Sequence, residues 1–299
     1  MKSVVSYPDR GNFGHSNYRG NCSGKIIEDC IEQFHLQGLS DFMVGGGTTE
    51  DVVKSRGLRG TFADLNRGYD MLSMDIPERA ENIFFHPPYG SMIRYANSMY
   101  KASDVEKMYG LPAETILADD LSQCNNWDEF IEKLNYCMMK QFAALEKGGR
   151  MFTLVGDMKR NGKLYSMVCD IAKPGTLEQV VIKMQHNCVS DSRSYCGNFI
   201  PIVHEYLIIT KKDSGLIIPV SWGARKETDI RDNTAASWRD IIYALIDEHK
   251  EATLEKLYQD LQNCPKNQSN PHWKEKIRQV LQNTKYFRRT SKGTYALAC

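Results

Sequence analysis

Four consecutive residues carry the most suggestive chemistry in this chain: His86-Pro87-Pro88-Tyr89, directly after the apolar run Asn82-Ile83-Phe84-Phe85. Two prolines and an aromatic make a stiff elbow, because proline fixes φ and has no N–H with which to continue a central strand. Such an elbow holds one side chain, His86, and one aromatic face, Tyr89, at the C-terminal edge of a strand. Open α/β sheets bind ligands at that edge. A neutral imidazole has one acceptor nitrogen and a protonated one has none, so His86 can accept a proton only while uncharged.

A second candidate lies upstream, in Asp41-Phe42-Met43-Val44-Gly45-Gly46-Gly47-Thr48-Thr49. Three glycines between a strand and a helix let a ligand approach the backbone and allow positive φ. They also leave N–H groups at the helix start free to meet a polar ligand. The next strand, Gly60–Asp64, ends in a carboxylate, a position suited to ribose hydroxyls. Asp75 closes the following stretch, with Asp70 as its rival.

In this order, the glycine turn, the two acids and the proline elbow resemble the amino-group DNA methyltransferases, which methylate adenine N6 or cytosine N4 from S-adenosylmethionine. The glycine stretch is similar to that family's cofactor loop, with Gly46 where serine is usual. His86-Pro87-Pro88-Tyr89 resembles its catalytic tetrapeptide, in which Asp, Asn or Ser normally stands at the place of His86. The run Tyr18-Arg19-Gly20-Asn21-Cys22-Ser23-Gly24-Lys25 is similar to the segment that grips the methionine part of the cofactor. The resemblance covers residues 11–213 and implies a catalytic set of His86, Pro87, Pro88 and Tyr89, with Tyr89 stacked on a base turned out of the duplex. For the cofactor it implies Asp41, Gly45, Gly47 and Thr48, with Asp64 on the ribose hydroxyls and Asp75 on the adenine amino group. Tyr18, Arg19, Asn21 and Ser23 would lie near its carboxylate. Adenine N6 is favoured over cytosine N4 as the commoner target in the family. An inactive DNA-binding regulator with a cofactor fold and an RNA methyltransferase remain as alternatives.

The elements that must position these residues follow from periodicity. Helical patterns run over Lys25–Phe34, Ala102–Tyr109 and Trp127–Glu146, and strands over Leu39–Val44, Gly60–Asp64, Asn82–Phe85 and Arg150–Val155. Their alternation predicts an α/β fold with a Rossmann-like, mostly parallel sheet. Gln179–Gln185 and Glu205–Lys211 would add an antiparallel edge pair. The first 20 residues are polar and glycine-rich and read as irregular. His186, His204 and Glu205 lack metal-ligand spacing and read as structural, and no metal site is expected.

Residues 1–213 form the expected catalytic domain, 214–234 a linker and 235–299 a second domain. Three helical patterns and a hairpin over Tyr286–Leu297 resemble a small winged-helix domain. Between Lys274 and Lys292 there are seven basic residues against one acid. Lys274, Lys276, Arg278, Arg288, Arg289 and Lys292 are the candidate DNA contacts. The 299-residue chain has a formal net charge of only +1, so any basic surface must be local. Nine cysteines without a C-x-x-C pair suit a reducing compartment, the cytoplasm. No apolar run approaches membrane-spanning length. The expected partner is DNA, with no membrane.

Overall fold

Short apolar runs become the centre of a mixed sheet. The computed structural model describes residues 1–186, 198–223 and 228–298. The chain divides into two units, Met1–Ala224 and Arg225–Cys299. In the first unit the strands are β1 (Val4–Ser6), β2 (Ile83–Phe85), β3 (Arg150–Val155), β4 (Met158–Arg160), β5 (Lys163–Tyr165), β6 (Lys173–Pro174), β7 (Thr176–Met184), β8 (His204–Lys211) and β9 (Val220–Ser221). The central sheet has the order β1-β7-β8-β3-β2. β2 runs parallel to β3, and β8 is antiparallel to both β3 and β7. Parallel bridges Ser40↔Ile83, Asp41↔Phe62 and Gly38↔Arg59 carry the sheet two segments further. Leu39 and Gly60 meet closely there: a Cβ on Gly60 would lie 2.0 Å from the Leu39 carbonyl oxygen.

This is the α/β, Rossmann-like architecture the sequence predicts, with one correction. The β7–β8 pair is not at the edge, because β1 pairs with β7 in parallel. The N-terminal stretch is therefore not wholly irregular. β1 buries only Val5, and one inward residue is too few to show alternation in sequence.

Of helices α1 (Gly24–Phe34), α2 (Thr48–Ser55), α3 (Ala102–Tyr109), α4 (Ala113–Asp119) and α5 (Trp127–Ala144), α1 and α2 cover one face of the sheet and α5 the other, while α3 and α4 pack together in a separate cluster. Strand alternation divides the core accordingly. Ile83, Phe85, Met151 and Val155 pack with Phe130, Leu134 and Phe142 of α5. Phe84, Phe152 and Leu154 pack with Ile26, Ile27 and Ile31 of α1 and with Val52 and Val53 of α2. Both faces of β2 are thus buried, which places His86 at the end of a rigid strand. No helix among the described residues is long and apolar enough to cross a membrane.

Part of the stretch read as a linker has partners. β9 pairs with β6, Val220 opposite Pro174, and further on the Cys264 thiol donates to the Arg231 carbonyl. The second unit has helices Trp238–His249, Leu254–Leu261 and Trp273–Leu281, the first two capped by the Ser237 and Thr253 hydroxyls. Its antiparallel sheet has the order β10 (Glu251–Thr253), β12 (Thr294–Leu297), β11 (Phe287–Ser291). Ile241, Ile242, Leu257, Ile277 and Phe287 lie in its core. Ahead of helix Trp273–Leu281, the Asn270 carboxamide accepts from His272 N–H and closes a turn.

Candidate active site

At the C-terminal ends of these strands lies an open cleft with about 840 Å³ of unfilled space. The glycine turn (Gly45, Thr48, Thr49) and the proline elbow (His86, Pro88) line this same cleft.

The turn is held by its neighbours. Gly45 and Gly47 adopt φ of +52° and +88°, where side chains are disfavoured. Gly46 departs from the expected serine for a visible reason: a Cβ there would fall 2.7 Å from the Asn21 carboxamide. Asn21 is fixed by donating to the His15 carbonyl, and His15 N–H donates to the Gly46 carbonyl. Asp64 accepts from Gly45 N–H at 2.8 Å and from Asn66 N–H at 2.9 Å. Asp41 accepts from Met43 N–H at 3.0 Å and from the Thr49 hydroxyl at 2.6 Å. Both carboxylates therefore shape the loop before they could meet any ligand. Thr48 Oγ1 is buried without a hydrogen-bond partner, and helix α2 starts at Gly47 without a side-chain cap. A cleft-lining hydroxyl without a partner beside an open helix N-terminus suits an anionic group.

Burial raises the Asp41 carboxyl to about 7 against the bonds from Thr49 and Met43, and burial also raises Asp64. An acid whose folded pKa exceeds its unfolded value stabilises the fold most below the unfolded pKa, and that advantage is lost as pH rises through the folded one. Asp41→Asn is accordingly expected to flatten the fall in stability between pH 4 and 8, which denaturant titrations would record as a change on the order of 4 kcal/mol at most.

Several expected residues lie elsewhere. Asp75 is exposed and does not line the cleft, whereas Asp70 does. The chain turns tightly because Asp70 accepts from Leu72 and Ser73 N–H, and Asp75 emerges at the surface. Asp119 of α4, another cleft residue, is held above the usual carboxylate range by burial and by the negative charge of neighbouring Asp70. Arg19 is exposed, and Ser23 caps α1 by accepting from Lys25 N–H; neither lines the cleft. Gly47, Pro87 and Tyr89 are also not in its wall, whereas Tyr18 and Asn21 are. Aromatic surface in the cleft comes from Tyr18, Tyr69, Tyr95 and Tyr100, with Tyr18 and Tyr95 stacked 5.6 Å apart.

Tyr89 points instead into a buried polar chain. Its hydroxyl donates to Glu205 Oε1 at 2.6 Å and lies 2.9 Å from His86 Nε2. Lys183 Nζ donates to Glu205 Oε2 at 2.6 Å. Strand register puts Lys183 of β7 opposite Glu205 of β8, and both side chains are under 10% exposed. The Tyr89 ring is seated on Gly156, where a Cβ would come within 2.7 Å of it. Burial pushes the Glu205 carboxyl up, but the Lys183 charge and the bonds from Lys183 and Tyr89 together bring it below its ordinary value. Burial holds His86 below the ordinary histidine value despite the pull of Glu205, and Lys183 adds to the lowering. Burial and Glu205 keep Tyr89 protonated. Glu205, which reads as structural in sequence, is joined with Lys183 to the chain of polar groups that ends on His86.

In the second unit, Lys274, Arg278, Arg288, Arg289 and Lys292 are exposed and Lys276 is half-buried. Lys274 sits over the Trp273 and Tyr258 rings, and Arg278 pairs with Glu275 at 2.9 Å.

No family model and no curated sequence matches the chain. Among solved structures it is similar to a provisionally described DNA modification methylase from Thermus thermophilus. The selenomethionine derivative is 14% identical, with a TM-score of 0.28, covering 72% of this chain and 63% of that one. The complex with S-adenosyl-L-methionine is 15% identical, with a TM-score of 0.29, covering 71% and 65%. The chain therefore spans less than two thirds of either methylase structure. A structure from work on converting a disulfide bond into a thioacetal group during echinomycin biosynthesis is 11% identical, with a TM-score of 0.30, covering 63% and 82%. Likeness at this level assigns neither activity nor substrate.

Proposed function

We propose that the protein is a DNA methyltransferase that moves a methyl group from S-adenosylmethionine to an exocyclic amino nitrogen of a flipped base, adenine N6 in preference to cytosine N4. One observation carries the reading: the glycine turn and the His86 elbow line a single cleft. Thr48 Oγ1 and the N–H groups at the start of α2 would receive the cofactor carboxylate. Asp64 and Asp70 are the acids for its ribose and adenine.

When bound, the cofactor supplies an activated methyl on sulfur: the amine lone pair forms the new N–C bond, the S–C electron pair returns to sulfur, and the nitrogen then sheds one proton. The rigid β2 strand and the two prolines that follow it would orient the amine for in-line attack, and positioning of this kind supplies much of the catalysis. His86, kept neutral by burial, accepts a hydrogen bond from the amine and takes the departing proton. With Tyr89 engaged by Glu205, the base would stack against tyrosines of the cleft wall.

We read the second unit as a winged helix that binds DNA phosphates through its exposed basic residues. Replacing Lys274, Arg289 and Lys292 together with glutamine is expected to weaken DNA binding and to reduce the slope of log affinity against log salt by up to about 3, at about 0.9 per phosphate contact. Fluorescence anisotropy at several salt concentrations measures this.

The activity is tested with tritiated S-adenosylmethionine and mixed genomic DNA, with RNA as competitor. Label recovered in N6-methyladenine or N4-methylcytosine supports the proposal. Label confined to RNA, or cofactor binding without transfer, refutes it.

A further inference from the structure

We infer that Lys183 and Glu205 act on His86 through the Tyr89 hydroxyl, holding its neutral ring with the proton on Nε2 and leaving Nδ1 as the acceptor. The part played by Nδ1 in catalysis rests on the function proposed above; the proton arrangement does not.

Hydrogen-bond bookkeeping fixes the direction. An ionised carboxylate only accepts, and a phenol has one proton. Glu205 takes the Lys183 ammonium on Oε2 and the Tyr89 hydroxyl on Oε1, each at 2.6 Å. Having given its proton to Glu205, Tyr89 can only accept from His86, 2.9 Å away. His86 Nε2 must then be the N–H, and in a neutral ring the lone pair falls on Nδ1. His86 lines the cleft, and no protein group among the described residues occupies Nδ1.

The surroundings keep the ring uncharged. The charged groups acting on it are Glu205, 3.9 Å from Nε2, and Lys183, which cancels the Glu205 charge. The Tyr89 hydroxyl is protonated, and the buried Cys22 thiol nearby is pushed up to about 12 by its burial, so it too is neutral. A protonated His86 would therefore be a buried cation beside a pair of zero net charge. Glu205 and Lys183 are positioning residues: they touch neither the cleft nor a substrate, and they act by deciding which imidazole nitrogen keeps its lone pair. Partners of this kind commonly set histidine tautomers.

The test is ¹⁵N NMR of histidine-labelled full-length protein, with steady-state kinetics alongside. Wild type is expected to show His86 neutral at pH 7 with the proton on Nε2. Lys183→Met with Glu205→Leu removes both charges and leaves Tyr89 one acceptor, His86 Nε2. The ring proton should then move to Nδ1 and kcat fall about 100-fold, the scale of a lost acid–base partner, with KM for S-adenosylmethionine unchanged. If the double variant does not fold, Tyr89→Phe replaces it, and the slowly exchanging Nε2–H signal of wild type should be lost. An imidazolium or an Nδ1–H ring in wild type overturns the inference, as does a double variant that keeps the Nε2–H ring. Correct tautomers in a protein that methylates no nucleic acid would support the relay and refute the function instead.

Discussion

His86→Ala is expected to lower kcat for methyl transfer by about 10²–10⁴-fold, the range for removal of a proton-accepting group. Binding of S-adenosylmethionine should change little, because its proposed contacts lie on the glycine turn and not on the elbow. His86→Asn should restore much of the rate, since a carboxamide oxygen is also an acceptor. The pH profile of wild type follows from the same atom. Burial lowers the His86 pKa, and protonation removes the lone pair, so the rate should hold through neutral pH and fall only below the ordinary histidine value of about 6.5. Stability responds with the same sign: the unfolded chain takes the proton more readily, so acidification through the unfolded pKa disfavours the fold. Rates at saturating substrates between pH 5 and 8 check the first claim, and a fall centred above the ordinary value would contradict it.

The second large effect concerns stability. Lys183→Met alone leaves the Glu205 carboxylate buried and unpaired, and is expected to cost about 3–5 kcal/mol. Adding Glu205→Leu should recover most of that loss, because replacing both members of a buried ion pair with apolar groups is often neutral. The sign of the pH dependence separates this from a simple packing defect. In wild type the Glu205 pKa is depressed, so its contribution is present above the unfolded value and lost as pH falls through the folded one. Without Lys183 the carboxyl pKa rises, and the deficit should be greatest at pH 7–8 and shrink towards pH 4. Urea denaturation of the single and double variants across that range measures both effects. A deficit independent of pH would point to packing alone.

The sequence exposes elements whose patterns are long. Arg150–Val155 and Ala102–Tyr109 coincide with β3 and α3, and the α5 stripe ends two residues before its expected close. β1 and α4 are not legible, because each buries a single residue, Val5 and Ile116, and one inward position establishes no period. The site was legible where residue type dictates backbone shape: three glycines and two prolines fix their turns almost regardless of context. The choice between Asp70 and Asp75 was not, because it depends on a local turn closed by one of the two carboxylates. Lys183 and Glu205 hid for a different reason. Each is a charged residue in a strand, and only the register that sets them opposite each other shows that they face inward. A lysine two residues beyond the buried Val181 was the available signal, since alternate strand positions share a face.

The arrangement of donor and acceptor is tested most directly by a crystal structure of the protein with S-adenosylhomocysteine at saturating concentration. The ligand is expected to occupy the cleft, with its carboxylate at Thr48 and the start of α2 and its sulfur turned toward His86. Ligand bound anywhere else, or a cleft still empty at saturation, would contradict it.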